Sequence, residues 1–146
     1  MIARALALGA AAWVGWAWVP HLATARCAWR GPRAGRRVAL TFDDGPDPEW
    51  TPRVLDLLGA AGVRATFFLI GARAAQAPAV VKRIAGDGHE VANHSWSHRN
   101  PWLCGPATTR AEVRRAHDTL ADLTGVAPRH FRPPWGMVNA AIFSAV

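Results

Sequence analysis

Strands alternating with helices predict an α/β fold for this chain, built on a mainly parallel sheet or barrel. Three observations carry that expectation. Short β-rich runs occupy residues 37–42, 63–70, 89–93 and 129–132. The segments between them place apolar residues at helical spacing. Gly and Pro punctuate the changeovers. At 146 residues the chain is one domain at most, yet long enough to bury a real core.

The N-terminal segment is a separate object. Arg4 gives a short basic start, residues 5–19 are uncharged and rich in Ala, Leu and Trp, and Ala23-Thr24-Ala25 fits a small-x-small cleavage site. Residues 1–25 therefore read as a signal peptide or membrane anchor, with Trp13, Trp16 and Trp18 as an interfacial belt. The competing reading is a buried N-terminal helix. The five arginines at 26, 30, 33, 36 and 37 outnumber the charge ahead of the run, which argues against simple translocation of the C-terminal part. Residues 26–35 read as linker, and 36–146 as the folded domain. The expected location is exported or membrane-anchored, in the cell envelope.

Each element of that domain has a local signature. The run 37–42 is a short buried strand. Thr51 reads as an N-cap with Pro52 at the first helical position, followed by an apolar face of Val54, Leu55, Leu57, Leu58 and Ala61 that Gly62 ends. Residues 63–70 form the second strand, closed by Gly71. Pro78 opens a short helix with Val80, Val81 and Ile84 inward, ended by Gly86 or Gly88. Residues 89–93 are the third strand. Thr109 with Glu112 makes a capping box for a helix carrying Val113, Ala116, Leu120 and Leu123 to Gly125. Residues 129–132 are the fourth strand.

The formal net charge of +7 comes almost entirely from arginine, since Lys82 is the only lysine. The arginines are scattered, with no basic stripe interleaved with aromatics, so nucleic acid is not an expected partner. Cys27 and Cys104 form neither a CxxC pair nor a disulfide framework.

Chemistry gathers at three strand ends, where α/β folds place functional groups. Thr41-Phe42-Asp43-Asp44-Gly45-Pro46 ends the first strand with adjacent carboxylates. One can hold a metal while the other faces water, with Gly45 permitting positive φ and Pro46 fixing the turn. The plainer alternative is a surface turn. His94-Ser95-Trp96-Ser97-His98 places two imidazoles four residues apart, which meet on one face of a helical turn. With a carboxylate from another strand end they make a three-ligand set open to water, the pattern of a catalytic metal rather than a structural one. Arg132 precedes Pro133 and Pro134, a stiff wall from which a cation can project to orient Asp43. Trp135 fits a sugar-binding groove or a core plug equally well.

Taken together, Thr-Phe-Asp-Asp-Gly-Pro at 41–46, His-Ser-x-x-His at 94–98 and Arg-Pro-Pro-Trp-Gly at 132–136 resemble the first three motifs of the polysaccharide deacetylases, the NodB-homology domains of carbohydrate esterase family 4. Gly88-His89-Glu90-Val91 resembles the family's lead-in to the histidines. The resemblance covers residues 36 to 146. It implies a distorted (β/α) barrel and metal-dependent removal of acetyl groups from N-acetylated, or O-acetylated, polysaccharide such as peptidoglycan or a chitin-like glycan. It further implies that Asp44, His94 and His98 bind zinc, or cobalt or a similar divalent ion. Asp43 would be the general base, Arg132 would orient it, and Pro134 and Trp135 would contact substrate.

Two further motifs of the family are missing from the sequence: an Asp-Trp pair that supports the arginine and a Leu-x-His that protonates the leaving amine. Neither His117 nor His130 stands in that context. The expectation is an incomplete barrel that keeps its metal site but has weakened turnover. The alternative is an envelope-tethered glycan-binding homologue that lacks the general acid.

Overall fold

The computed structural model describes residues 2–22, 27 and 38–145. The proposed cleavage site at 23–25, the start of the first expected strand and, Cys27 apart, the linker lie outside the described residues. Three parallel strands form the sheet in the order β1 (Thr41–Asp43), β2 (Thr66–Leu69), β3 (Glu90–Asn93). Phe42 pairs with Phe67, and Phe67 with Val91, so the carboxyl ends of all three strands fall on one edge. Each strand is shorter than its β-rich run. Helix capping explains part of this: Val63 donates its N–H to the Leu58 carbonyl at 3.0 Å and belongs to the end of the preceding helix.

The expected fourth strand is reduced to one parallel bridge between Phe131 and Asn93. Asn93 donates to the His130 carbonyl at 2.9 Å, and Arg132 donates to the Asn93 carbonyl at 3.0 Å. Pro133 and Pro134 come next in the chain and have no N–H to continue the ladder. One bridge still suffices to set Arg132 beside the end of β3.

Helix α2 (Trp50–Ala61) begins before Thr51, contrary to expectation. The Asp47 carboxylate accepts from the N–H groups of Glu49 at 2.9 Å and Trp50 at 2.7 Å, and Thr51 Oγ1 accepts from the Asp47 N–H at 2.9 Å. Those two backbone donors lower the Asp47 pKa. Leu55 and Leu58 face the core, but Leu57 is 71% exposed and does not share the expected face. Helix α3 (Gly71–Gln76) was not foreseen, and α4 (Pro78–Gly86) starts at its proline as expected.

Helix α5 (Pro106–Thr124) starts three residues before the expected capping box. Thr109 is thus inside the helix, where its hydroxyl accepts from Asn139 Nδ2 at 2.9 Å. Asn139 is fully buried; it also donates to the Pro101 carbonyl and accepts from Ala141 and Ile142. This one amide fixes the C-terminal turn against α5. The core unites Leu55, Leu58, Phe67, Leu69, Val81, Ile84 and Leu120, with Phe42 and Val91 packed beside them.

Helix α1 (Ile2–Ala17) docks on this body by its C-terminal end. The indole N–H groups of Trp13 and Trp16 donate to the carbonyls of Trp102 and Cys104, each at 3.2 Å. The rings of Trp13 and Trp18 also meet that of Trp102. Leu6 and Leu8 remain about 70% exposed. Among the described residues no helix is long and apolar enough to cross a membrane.

Gly71 is where α3 meets α5. A Cβ there would stand 2.7 Å from the Trp96 ring and 2.9 Å from Ala116, both atoms of packed neighbours. Gly71→Ala is expected to destabilise the protein by about 1–3 kcal/mol, the usual range for overpacking. A urea-unfolding midpoint unchanged from wild type would show that the approach is looser than this.

Candidate active site

The three signals meet at the carboxyl edge of the sheet. Asp44 lies just past β1, His94 just past β3, and Arg132 just past the bridge at Phe131. Asp44 Oδ1 is 3.4 Å from His94 Nε2 and 3.1 Å from His98 Nε2. One ligand atom from each residue falls within 4.8 Å of the others. His94 is buried, His98 half-buried and Asp44 exposed, so the set opens to solvent on the carboxylate side.

The donor chemistry fits a divalent ion. His94 donates Nδ1–H to the Arg132 carbonyl at 2.7 Å, because a carbonyl can only accept. That bond fixes the tautomer and turns the Nε2 lone pair toward Asp44. Burial, with His98 beside it, lowers the His94 pKa against the raising effects of the Arg132 carbonyl, Asp43 and Asp44, which favours the neutral imidazole. Two imidazoles and one carboxylate, with an open side, suit zinc or a neighbouring divalent metal.

The histidines do not meet on a helical turn. Residues 94–98 form an irregular loop in which Ser95 (φ 66°) and His98 (φ 58°) are left-handed. Asn93 holds the loop's start: its Oδ1 accepts from the Ser95 N–H at 2.8 Å, and its Nδ2 donates to the Val113 carbonyl at 2.9 Å. The first N–H groups of α3, from Gly71 and Ala72, donate to the carbonyls of Ser95 and Trp96 at 2.9 Å.

The Asp43-Asp44 turn also differs from expectation. The left-handed residue is Asp44 (φ 67°), a type that tolerates this region, and not Gly45. What Gly45 provides is room: a Cβ would stand 3.3 Å from Leu69 Cδ2. The Asp44 carbonyl accepts from Arg73 Nη1 at 2.8 Å. Arg73 had no signal in the sequence to mark it out.

Asp43 stands apart from the triad and pairs with Arg132, whose Nη1 lies 2.5 Å from Asp43 Oδ1 and 3.1 Å from Thr41 Oγ1. The guanidinium also stacks 4.0 Å above the Phe68 ring. Among the described residues no protein donor engages Asp43 Oδ2, which leaves that oxygen for water. The arrangement therefore separates a carboxylate that could hold a metal from one free to accept a proton.

Trp135 is exposed, 5.5 Å from the His98 ring, so it does not plug the core. Pro134 is buried to below 2% exposure, behind the exposed Trp135. His130 pairs with Glu90 at 2.6 Å at the opposite, amino end of β3 and takes no part here.

The polysaccharide deacetylase family model matches residues 30–146. The chain is 43% identical over 126 residues to a peptidoglycan-N-acetylglucosamine deacetylase of Bacillus cereus, covering 86% of this chain and 45% of that one. Its structure resembles the crystal structure of the Bc1960 peptidoglycan N-acetylglucosamine deacetylase in complex with 4-naphthalen-1-yl-N-oxidanyl-benzamide (TM-score 0.74, 44% identity, 75% of this chain and 51% of that chain). It also resembles a family 4 acetyl xylan esterase from Clostridium thermocellum, solved in complex with a cobalt ion (TM-score 0.69, 38% identity, 74% of this chain and 53% of that chain). The chain thus spans about half the length of these relatives. Its open parallel sheet with flanking helices agrees with a partial, distorted (β/α) barrel. With the family model matched over residues 30–146, the chain belongs to the polysaccharide deacetylase family.

Proposed function

We propose that this protein hydrolyses acetyl groups from an N-acetylated glycan, of the peptidoglycan or chitin-like class, using zinc held by Asp44, His94 and His98. The observation that carries the reading is the convergence of that triad beside a separate carboxylate, Asp43, held by Arg132. The metal supplies Lewis acidity toward the acetyl carbonyl and toward water.

The chain's own residues do the rest. Arg132 holds Asp43 Oδ1, so Oδ2 can take the proton as water attacks the carbonyl. Thr41 and Phe68 keep the guanidinium from turning away. Trp135 offers an exposed ring at the edge of the site, a stacking platform for a sugar. The same ring would hold a glycan whether or not chemistry occurs, which favours a binding homologue without turnover as the second reading. The exported or membrane-anchored location follows from where such glycans lie, and the uncharged stretch at residues 5–19 supports it.

Zinc-loaded protein is expected to release acetate from chito-oligosaccharide or peptidoglycan. Asp43→Asn should cut that rate about 10²–10⁴-fold while zinc affinity stays near wild type. Folded, zinc-loaded protein that binds the glycan and yields no acetate would sink the enzyme reading in favour of the binding one. His98→Ala is expected to weaken zinc binding in equilibrium dialysis, and an unchanged affinity would remove His98 from the ligand set. Fractionation of cells making the full chain should find it in the envelope; recovery in the cytosolic fraction would contradict that location.

A further inference from the structure

We propose that Glu112 is a positioning residue for the metal site, setting the backbone of the loop that carries both histidines; the proposal rests on reading Asp44, His94 and His98 as metal ligands. Glu112 lies on α5, whose neighbouring residues Val113, Ala116 and Leu120 are buried, so its base is rigid. Its side chain is only 14% exposed, and Ser97 engages both carboxylate oxygens. Oε2 accepts from the Ser97 N–H at 2.7 Å, and Oε1 from the Ser97 hydroxyl at 2.9 Å. Arg99 Nε stands 3.9 Å from Oε1. Glu112 is not among the residues of the metal triad, so it would act through the loop.

The loop needs such a grip. Ser95 and His98 hold left-handed backbone conformations, each costing on the order of 1–3 kcal/mol unless the surroundings enforce them. Asn93 and the first turn of α3 fasten residues 95 and 96, on the His94 side. The Ser95 hydroxyl accepts from the His98 N–H at a longer 3.2 Å. Glu112 grips residue 97, immediately before His98, through two hydrogen bonds to a charged acceptor, the stronger kind. His98 is the less buried of the two imidazoles, and Glu112 adds the two shorter bonds on its side of the loop.

The test measures zinc affinity by competition with a chromophoric chelator, independently of acetate release. Glu112→Ala should weaken zinc binding about 10–100-fold, the usual cost of losing a group that orients a metal ligand. Glu112→Gln, which keeps an acceptor for the Ser97 N–H, should recover much of that loss. Ser97→Ala removes only the exposed hydroxyl and should cost less, and nothing further in the Glu112→Ala background. It also serves if Glu112→Ala fails to fold. Asp118→Ala, exposed on the same helix, should bind zinc as wild type does. In cobalt-loaded protein, the visible absorption bands should shift in Glu112→Ala and not in Asp118→Ala.

Wild-type zinc affinity in folded Glu112→Ala, or in Ser97→Ala if only that variant folds, overturns the proposal, as does a wild-type protein that binds no zinc. The deacetylase reading fails separately, by absent acetate release from protein that does bind zinc.

Discussion

The hydrogen bond from His94 Nδ1 to the Arg132 carbonyl joins the two halves of the site. On one side it fixes the imidazole tautomer and aims Nε2 at Asp44. On the other it fixes where the Arg132 backbone stands, and hence where its guanidinium starts toward Asp43. A displacement of either strand end would misplace ligand and base together. The bond exists because β3 and the single bridge at Phe131 run parallel, so both chains reach the same edge. Parallel topology is therefore the condition for the chemistry, and the short ladder is enough to meet it.

The edge is also where the backbone is least relaxed. Among the described residues, the non-glycine positions with positive φ are Asp44, Ser95, His98 and Trp135, and all of them border the site. Asp tolerates that region, but a bulky residue such as Trp does not, and Trp135 has little burial to offset the cost. Strain of this kind survives only where surrounding bonds over-determine the chain. Asn93, the first turn of α3 and Glu112 do so for the histidine loop, and Arg73 does so at the Asp44 carbonyl. The close contact of Gly71 with Trp96 and Ala116 belongs to the same network, which is why a methyl group there would disturb packing and loop together.

The sequence made the candidate site groups legible because they sit at or just past the ends of β-rich runs, in motifs of unusual residue types. Asp43 and Asp44 came from their place at a strand end, His94 and His98 from their spacing and Arg132 from the prolines after it, and the structure brings them to one edge. Their supports were hidden for a physical reason. Local patterns were read as local interactions, whereas the atoms found partners far along the chain. Thr109 and Glu112 have the spacing of a capping box, yet Thr109 serves Asn139 and Glu112 serves Ser97. Gly45 looked like the flexible point of the turn, but Asp44 takes the left-handed conformation and Gly45 merely avoids Leu69. Trp13, Trp16 and Trp18 read as a membrane belt, and they gather on or near Trp102, 84 or more residues away, which no window of sequence could display.

Amide and ester substrates ask different things of this edge. Both begin with water attacking an acetyl carbonyl, a step that the triad and Asp43 would serve in the hydrolysis proposed. They part when the tetrahedral species collapses. An amine leaves only once its nitrogen is protonated, whereas an alkoxide needs less help. In such a mechanism, preference between N-acetyl and O-acetyl groups would turn on proton delivery to the leaving atom more than on Asp44, His94 or His98. An N-acetyl substrate is therefore the more exacting measure of proton delivery in the hydrolysis proposed for this site.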